Sequence, residues 1–284
     1  MTVAKTPLPP PKPADPLDLI GQLELERIEL NLFRAWGPQD HGGHFFGGHV
    51  IAQALMAAYE TVPTRVCHSL HAYFIRPGRT DIPVLYEVDR ARDGGTFTTR
   101  RVIAIQNGEQ IFNLAASFQE PSEGLDHQFE APAAPGPETI KEEPNWRGTV
   151  RPIDIRWPDP RDPSDTRKRP PHKQVWMRAK AAIGEDFRLH QALLAYASDM
   201  AFMETALRVH GITWQTPGLQ SASLDHAMWF HRPADFNDWV LFDQDSPSTS
   251  QGRGLVRGGM YSKEGALVAS VAQECLMRIR PPKT

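Results

Sequence analysis

Two segments of the chain are apolar at nearly every position over helical length. They are Gly48–Val62 (GHVIAQALMAAYETV) and His190–His210 (HQALLAYASDMAFMETALRVH). A helix that is apolar on all sides is buried over most of its surface. The pattern therefore predicts one central, buried helix in each half of the chain.

Segments typical of β-strands follow each predicted helix. Two strand pairs are predicted around short turns: Thr98–Gln106 and Gln110–Phe118 around Asn107-Gly108, and Leu255–Tyr261 and Leu267–Gln273 around Lys263–Gly265. Asn-Gly between two such segments is a strong signal for a β-hairpin. Each half is therefore predicted to be an α+β unit in which an antiparallel sheet wraps a central helix.

The two halves also resemble each other in sequence. His71–Pro77 matches His226–Pro233, in which the second copy is one residue longer, at a starting offset of 226 − 71 = 155. Leu114–Gln119 matches Val268–Gln273 at an offset of 273 − 119 = 154. Two matches at nearly one offset predict an internal duplication. The two copies are expected to form a pseudo-dimer.

Proline marks the boundary between the copies. Residues 122–171 contain 10 of the 26 prolines and few large aliphatic residues, which is typical of a linker. The predicted organisation is a disordered proline-rich arm at residues 1–16, a first unit at residues 17–121, a linker at residues 122–149 and a second unit at residues 150–284. The second unit includes a proline-rich excursion at residues 158–171.

Composition narrows the function classes. The net charge of −3 gives no electrostatic reason to expect nucleic acid or an anionic membrane as a partner. The 284 residues contain no apolar run close to the length that spans a bilayer. The two cysteines form no CxxC pattern and are expected to be buried thiols, as in a reducing compartment. A cytoplasmic location is the expectation.

Several strings resemble the acyl-CoA thioesterase II family. They are FFGGHVIAQAL, HSLHAYFIRPG, IQNGEQIFNLAASFQ, HKQVWMRA, LLAYASDM, LDHAMWFHRP and VASVAQE, in the same order over roughly residues 17–282. The resemblance implies a double hotdog fold and hydrolysis of acyl-CoA to free fatty acid and CoA, without a metal or organic cofactor. The absence of a peroxisomal C-terminal tripeptide favours a bacterial-type member.

Asp199 is the candidate that physical chemistry singles out. It falls in the middle of the second apolar helix, where a carboxylate is costly unless it is paired or functional. Partial burial would raise its pKa above the ordinary value of about 3.9 and make it a better base at neutral pH. Ser223 and Gln273 look like ordinary strand residues. The resemblance implies that all three are catalytic, with Asp199 activating a water that Ser223 and Gln273 orient.

The first copy serves as an internal comparison. At these offsets Ser223 falls on His68, Gln273 falls on Gln119, and Asp199 falls within residues 44–49, where there is no carboxylate. The first half is therefore expected to lack the full set. A histidine-based site using His44, His49 or His68 stays open as an alternative.

Two functions other than hydrolysis stay open from the sequence. The sequence has no G-x-S-x-G motif and no complete pattern of zinc ligands. An acyl-CoA hydratase or dehydratase of the same fold would need a histidine beside Asp199, and His226 is the nearby candidate. A non-catalytic acyl-CoA-binding module would be expected if the Asp, Ser and Gln set were broken. A homodimer or homotetramer is expected, because hotdog proteins commonly associate.

Overall fold

The computed structural model of the chain describes residues 17–38, 43–62, 64–142, 152–159 and 164–280. The predicted arm at residues 1–16 and part of the predicted excursion at residues 158–171 lie outside these ranges. The domain limits derived from the sequence stay a prediction. No helix in the described ranges is long and apolar enough to span a bilayer.

The first half has one long helix and six strands. Its elements are α1 (Leu19–Gln22), β1 (Glu26–Glu29), β2 (Leu32–Ala35), α2 (Gly47–Tyr59), β3 (Val66–Phe74), β4 (Val84–Asp93), β5 (Phe97–Gln106) and β6 (Glu109–Gln119). The helix α2 is buried from Gly48 to Tyr59, as expected of a segment that is apolar on all sides. The predicted helix is confirmed, although it ends at Tyr59 rather than at Val62.

The second half repeats this plan. Its elements are β7 (Ile153–Arg156), β8 (His172–Ala179), α3 (Phe187–Ser198), α4 (Glu204–Leu207), β9 (Leu219–Ser223), β10 (Asp225–Phe230), β11 (Val240–Ser250), β12 (Arg253–Ser262) and β13 (Leu267–Ile279). Both predicted hairpins are present, β5–β6 and β12–β13, with longer strands than predicted. Asn107 and Gly108 both have positive φ, of 51° and 78°, as a two-residue hairpin turn requires.

All strands belong to one antiparallel sheet. The strand order is β1-β2-β4-β5-β6-β3-β10-β13-β12-β11-β8-β7, with β9 paired to β13 beside the end of β10. The order of the first half is mirrored in the second, and the halves join where β3 pairs with β10. The two central helices, α2 and α3, pack against each other within this sheet. The architecture is therefore the duplicated α+β unit that the sequence predicts.

The second central helix is shorter than predicted. The helix expected over His190–His210 stops at Ser198, Asp199 forms its C-cap, and α4 is separate. Ala201 has a φ of +60°, which a non-glycine residue adopts only when its surroundings impose it. The Lys173 ammonium donates to the Ala201 carbonyl at 3.1 Å and thereby stabilises this turn. The prediction that Asp199 lies in mid-helix is wrong, because the helix ends directly before it.

Two β-bulges establish how the outer strands of the halves correspond. The pairing of β4 with β5 shifts between Asp89 and Arg92, and that of β11 with β12 shifts between Asp245 and Ser248. Both ends give one offset, since 245 − 89 = 156 and 248 − 92 = 156. A bulge is a feature of backbone pairing, so it aligns strands independently of side-chain similarity. We therefore equate these strands at an offset of 156.

The central strands correspond in the same way. His71 and Ala227 lie directly opposite each other where β3 meets β10, and 227 − 71 = 156. A pseudo-twofold axis therefore passes between these two residues. A second bulge occurs in each half, in the β5–β6 hairpin and in the β12–β13 hairpin. The last regular pair before it contains Phe112 on β6 in the first half and Ala269 on β13 in the second, so these two strands correspond at an offset of 269 − 112 = 157. The sequence offsets of 155 and 154 are thus wrong by one and by three residues, because they match similar side chains that occupy different register positions.

The helices correspond at a smaller offset. The first residues of α2 and α3 differ by 187 − 47 = 140. The second half therefore has about 156 − 140 = 16 additional residues between its central helix and the following strands. This insertion follows Asp199 directly and contains α4. A single offset could not have aligned both the helices and the strands.

Candidate active site

Asp199 lies where the end of α3 meets the start of α2. It is the C-cap of α3 and is 9% exposed. Its Oδ2 accepts a hydrogen bond from the Gly48 backbone N–H at 3.0 Å, in the first turn of α2. The N–H groups of a first helical turn have no partner within the helix and favour a negative charge. The carboxylate therefore caps a helix that belongs to the other half of the chain.

Two glycines at the start of α2 make this approach possible. A Cβ on Gly47 would lie 2.5 Å from Oδ2 of Asp199, and a Cβ on Gly48 would lie 2.2 Å from the Tyr196 carbonyl oxygen. Both distances are shorter than atoms can approach without displacement. Glycine is thus required by the close contact between the helices. The pair Gly47-Gly48 before an apolar helix was the sequence signal for this contact.

Ser223 and Gln273 lie beside the same carboxylate. The Ser223 hydroxyl, at the end of β9, donates to Oδ1 of Asp199 at 3.0 Å. The Gln273 Nε2, on β13, donates to Ser223 Oγ at 2.9 Å and to Cys275 Sγ at 3.3 Å. Gln273 is 1% exposed, whereas Ser223 is half-buried. The structure therefore brings together all three residues singled out from the sequence.

The environment of Asp199 changes its basicity. Burial disfavours the charged form and raises the pKa of Asp199 from 3.8 to about 6. The contacts with Ser223, Gln273 and the Gly48 N–H favour the anion and oppose this rise. At neutral pH the group is then mostly an ionised carboxylate, and a stronger base than an exposed aspartate. Such a pKa suits proton abstraction from water.

His226 is a polar neighbour that sequence reasoning did not assign to this set. It is fully buried on β10, with Nδ1 2.5 Å from Gln273 Oε1 and Nε2 2.9 Å from Ser198 Oγ. Burial lowers the pKa of His226 to about 4, so the ring is neutral at physiological pH. Its place next to Asp225 in the LDHAMWFHRP string gave no sign of this contact, because Gln273 is 47 residues away along the chain.

The first half carries different residues at the equivalent positions. With offsets of 140, 156 and 157, the counterparts of Asp199, Ser223 and Gln273 are Tyr59, Cys67 and Ala116. This corrects the counterparts predicted from the sequence, which were residues 44–49, His68 and Gln119. The expectation that the first half lacks the full set holds with the corrected residues, because none of them is a carboxylate.

The counterpart of the site is closed by internal hydrogen bonds. The Tyr59 hydroxyl donates to Gln191 Oε1 and accepts from the Cys67 N–H at 2.8 Å. The Gln191 Nε2 donates to the Cys67 carbonyl at 3.0 Å. Burial raises the pKa of both Tyr59 and Cys67 far above neutrality. Neither side chain can supply a base at physiological pH.

The histidines of the first half lie in separate surroundings. His68 Nε2 is 2.8 Å from Ser117 Oγ on β6. His49, on α2, packs edge-on against the rings of Phe45 and Tyr196. His44 forms an isolated β-bridge with Arg79. Across the described ranges, no group of three or more His, Cys, Asp or Glu side chains is arranged to hold a metal ion.

Comparison with known protein families gives two matches along the chain. The family described as acyl-CoA thioesterase matches residues 159–276. The acyl-CoA thioesterase N-terminal domain matches residues 35–119. Together they cover both halves of the sheet.

Individual proteins match over nearly the whole chain. Human acyl-coenzyme A thioesterase 8 is 37% identical over 286 residues, covering 91% of this chain and 88% of the relative. Acyl-CoA thioesterase 2 of Haemophilus influenzae is 37% identical over 278 residues, covering 92% of this chain and 97% of the relative. The crystal structure of acyl-CoA thioesterase II TesB2 from Mycobacterium marinum is 39% identical, with a TM-score of 0.80, and covers 93% and 100%.

More distant structures share the fold. A hot dog fold protein from Alicyclobacillus acidocaldarius is 17% identical, with a TM-score of 0.77, and covers 93% of this chain and 98% of that chain. At this identity the likeness concerns the fold alone. The predicted α+β double hotdog, with two repeats that form a pseudo-dimer, is thereby confirmed.

Proposed function

Because the chain belongs to the acyl-CoA thioesterase family and hydrolyses acyl-CoA, we propose that Asp199 is the general base of that reaction. The observation that carries the proposal is the buried carboxylate at the junction of α3 and α2, with a pKa raised to about 6. A base with this pKa is ionised at neutral pH yet retains more affinity for a proton than an exposed aspartate.

The reaction balances without a further reactant. Asp199 takes a proton from water as the water oxygen bonds to the thioester carbon, which gives a tetrahedral intermediate. The intermediate collapses as the C–S bond breaks, and the CoA sulfur leaves as a thiolate. The proton held by Asp199 passes to that thiolate. The products are the free acid and CoA.

Ser223 and Gln273 are proposed to fix the geometry of the base. The Ser223 hydroxyl donates to one carboxylate oxygen at 3.0 Å, and Gln273 donates to Ser223 at 2.9 Å. These bonds hold the carboxylate in one orientation, so that the attacking water meets a preorganised acceptor. They also keep Asp199 ionised despite its burial.

The start of α2 is proposed to stabilise the oxyanion. The Gly48 N–H donates to Oδ2 of Asp199, which places the N-terminus of α2 beside the proposed base. Gly47 and Gly48 have no side chains to cover the backbone at this helix start. The N-terminus of a helix carries a partial positive charge and suits the negative oxygen of the intermediate.

The structure gives no support to the hydratase alternative. A hydratase would need His226 as a free base next to the acyl chain. Both ring nitrogens of His226 are hydrogen-bonded within the protein, and the ring is fully buried. The second alternative, a non-catalytic acyl-CoA-binding module, is excluded by the family to which the chain belongs.

The mechanism is tested by Asp199→Asn, with thiol release followed over a panel of acyl-CoAs. We expect kcat to fall by about 10²- to 10⁴-fold, the usual contribution of a general base. Asp225→Asn is the matched control, since its half-buried carboxylate accepts from the Glu274 N–H at 2.6 Å and takes no part in the proposed chemistry. Unchanged turnover in Asp199→Asn would refute the mechanism.

We also propose that the chain assembles as a homodimer or homotetramer. Tyr73 and Trp229 are exposed aromatic side chains on the two central strands, at positions related by the pseudo-twofold axis, since 229 − 73 = 156. Exposed aromatic side chains are typical of protein interfaces. Light scattering after gel filtration measures the mass, and a monomer at micromolar concentration contradicts the proposal.

A cytoplasmic location is proposed as well. Cys67 and Cys275 are both buried free thiols, which fits a reducing compartment. Fractionation of cells, followed by detection of the chain in the soluble cytoplasmic fraction, tests this proposal. Recovery from an extracytoplasmic fraction would contradict it.

A further inference from the structure

Five polar groups form a continuous chain of hydrogen bonds that ends on the carboxylate of Asp199. The links run from Ser198 to His226, from His226 to Gln273, from Gln273 to Ser223 and from Ser223 to Asp199, at 2.9, 2.5, 2.9 and 3.0 Å. The residues come from α3, β10, β13 and β9. The two residues at the far end of this chain, His226 and Ser198, contribute nothing to the proposed chemistry directly.

The position of each proton follows from the carboxylate. An ionised Asp199 only accepts, so the single proton of the Ser223 hydroxyl points towards it. Ser223 must then accept from Gln273, which turns the amide nitrogen of Gln273 towards Ser223. The amide oxygen of Gln273 faces His226, so Nδ1 of His226 must carry a proton.

The remaining nitrogen of His226 completes the assignment. The ring is neutral, so Nε2 is an acceptor when Nδ1 carries the proton. The Ser198 hydroxyl lies 2.9 Å from Nε2 and 2.8 Å from the Ala195 carbonyl, and the assignment that starts at Asp199 directs its single proton to Nε2. The tautomer of His226 in turn selects the orientation of the Gln273 amide.

We propose that His226 is a positioning residue, which acts through Gln273 and Ser223 to keep a hydrogen-bond donor on the catalytic carboxylate. The inference rests on the proposed role of Asp199. Without the Nδ1 proton, the Gln273 amide is free to turn its oxygen towards Ser223. Ser223 would then donate to Gln273, and Asp199 would lose the Ser223 hydroxyl and the Gln273 amide N–H as groups that favour its anion.

The other half of the molecule supports this assignment. At the offsets of the fold, Ser198, His226 and Gln273 correspond to Ala58, Leu70 and Ala116. All three counterparts are buried and apolar. The fold therefore accepts an apolar group at each of these positions, and the buried polar residues occur together in the half that holds Asp199. Burial of a histidine where leucine fits points to a function.

The test compares three variants of the whole chain in steady-state kinetics over a range of pH. His226→Leu introduces the residue of the first half. His226→Asn keeps an N–H close to the position of Nδ1. Met228→Leu is the matched control, because Met228 is fully buried two residues further along β10.

The expected results separate positioning from packing. In His226→Leu we expect kcat to fall about 10- to 100-fold, the range for groups that orient a catalytic ligand, with KM nearly unchanged. The acid limb of the kcat profile should move to higher pH, because Asp199 loses a donor that favours its anion. His226→Asn should recover most of the kcat and the original acid limb. Met228→Leu should behave like the unaltered chain.

The acid limb, the fall of kcat at low pH, is assigned to Asp199 because Cys275 and His226 ionise in other pH ranges. Burial raises the pKa of the Cys275 thiol to about 12 and lowers that of His226 to about 4. Asp225 on β10 and Glu274 on β13 interact with that thiol and are carried unchanged in every variant. The Gly48 N–H, which reaches the carboxylate from α2, does not titrate. Burial also raises the pKa of Asp225, so a shift between variants is assigned to Asp199 when it persists with Asp225→Asn added to each variant.

Three outcomes would overturn the inference. One is a His226→Leu variant with the kcat and acid limb of Met228→Leu. Another is equal loss in His226→Leu and His226→Asn with an unmoved acid limb, which indicates packing alone. If His226→Leu does not fold, His226→Ala replaces it, and the inference fails if its acid limb does not move. Retained activity in Asp199→Asn would instead refute the proposed function itself.

Discussion

The two halves of the molecule share one backbone plan and differ in what their interiors contain. Each has a central helix, the same strand order and β-bulges at matching positions. At five equivalent positions the second half has polar residues, Ser198, Asp199, Ser223, His226 and Gln273, where the first half has Ala58, Tyr59, Cys67, Leu70 and Ala116. The hotdog unit therefore folds without any of the polar set, whose presence in one half is explained by chemistry.

The halves also differ in how their central helices begin. The first turn of α3 is capped locally, because the Arg188 N–H donates to Asp186 of the same segment at 3.0 Å. The first turn of α2 is capped by Asp199, which is 151 residues from Gly48. A local cap serves the stability of a helix. A cap supplied by the other half ties the carboxylate to the packing of two helices.

The largest effect is expected from removing the charge of Asp199. Its pKa is higher in the folded protein than in the unfolded chain, about 6 against 3.8, so ionisation disfavours folding. The penalty is absent below the unfolded pKa and complete above the folded one, where two pKa units correspond to about 3 kcal/mol. At pH 8, Asp199→Asn should therefore be more stable than the unaltered chain by up to this amount, although it is nearly inactive.

Urea denaturation at several pH values measures this effect. The difference in unfolding free energy should shrink as the pH falls from 8 towards 4, because Asp199 becomes protonated in the folded protein below its pKa of about 6. Tyr59 already fills the equivalent position without a charge. A variant that is less stable at pH 8 would show that the carboxylate is retained for folding.

The contact between the halves is next in size. Gly48→Ala would place a methyl group 2.2 Å from the Tyr196 carbonyl and force α2 away from α3. We expect a loss of about 1–3 kcal/mol in unfolding free energy, as for other overpacked sites, together with most of the activity. Gly95→Ala is the control, since a Cβ there meets nothing within 4 Å. Equal melting temperatures for the two variants would contradict the tight helix contact.

Replacing one buried polar residue of the second half by its first-half counterpart should lower the stability more than replacing three of them together. Gln273→Ala alone leaves the Nδ1 proton of His226 buried without its acceptor, which typically costs about 1–3 kcal/mol. Combining it with Ser198→Ala and His226→Leu reproduces the first half at these three positions and removes the orphaned His226 proton. The triple variant should therefore recover part of the stability lost in the single one. Additive losses in thermal denaturation would contradict this expectation.

The smallest effect is expected in the first half. Cys67→Ser introduces a hydroxyl at the position that Ser223 occupies in the second half. No second site should appear, because Tyr59 supplies no carboxylate beside it. We expect unchanged kcat and a stability change of about 1 kcal/mol, because the new buried hydroxyl can donate to the Ser69 carbonyl that the thiol contacts at 3.4 Å. A rise in kcat per chain would show that the first half is closer to a working site than its residues indicate.

Much of the fold was predictable because it depends on local patterns. Apolar periodicity predicted α2 and the duplicated α+β plan, and Asn107-Gly108 predicted one hairpin. The end of α3 was not predictable, since the φ of +60° at Ala201 is supported by Lys173 from a different strand. The register between the halves was misjudged because bulges shift the backbone without leaving a motif in the sequence.

The site was predictable in part for the same reason. Asp199 stood out as a carboxylate in an apolar segment, whereas the selection of Ser223 and Gln273 depended on resemblance to a family. His226 was named only for the hydratase alternative, and its contact with Gln273 and the Gly48 cap were missed because they join residues 47 and 151 positions apart. Physical reasoning on a sequence detects an unusual residue more easily than the ordinary ones that surround it.

Because the bond from Gly48 to Asp199 joins the two halves, the site is complete only when the halves are associated. Residues 126–138 are attached to the second half, for example through Gln128 to the Gly265 carbonyl and Trp176 to the Pro135 carbonyl. If the chain were divided near residues 121–124 and the two fragments prepared separately, α2 would lie in one fragment and Asp199 in the other, so that neither fragment would hold the complete site. Thioester hydrolysis would then return only when the fragments recombine. The measured rate would be proportional to the concentration of the recombined fragments.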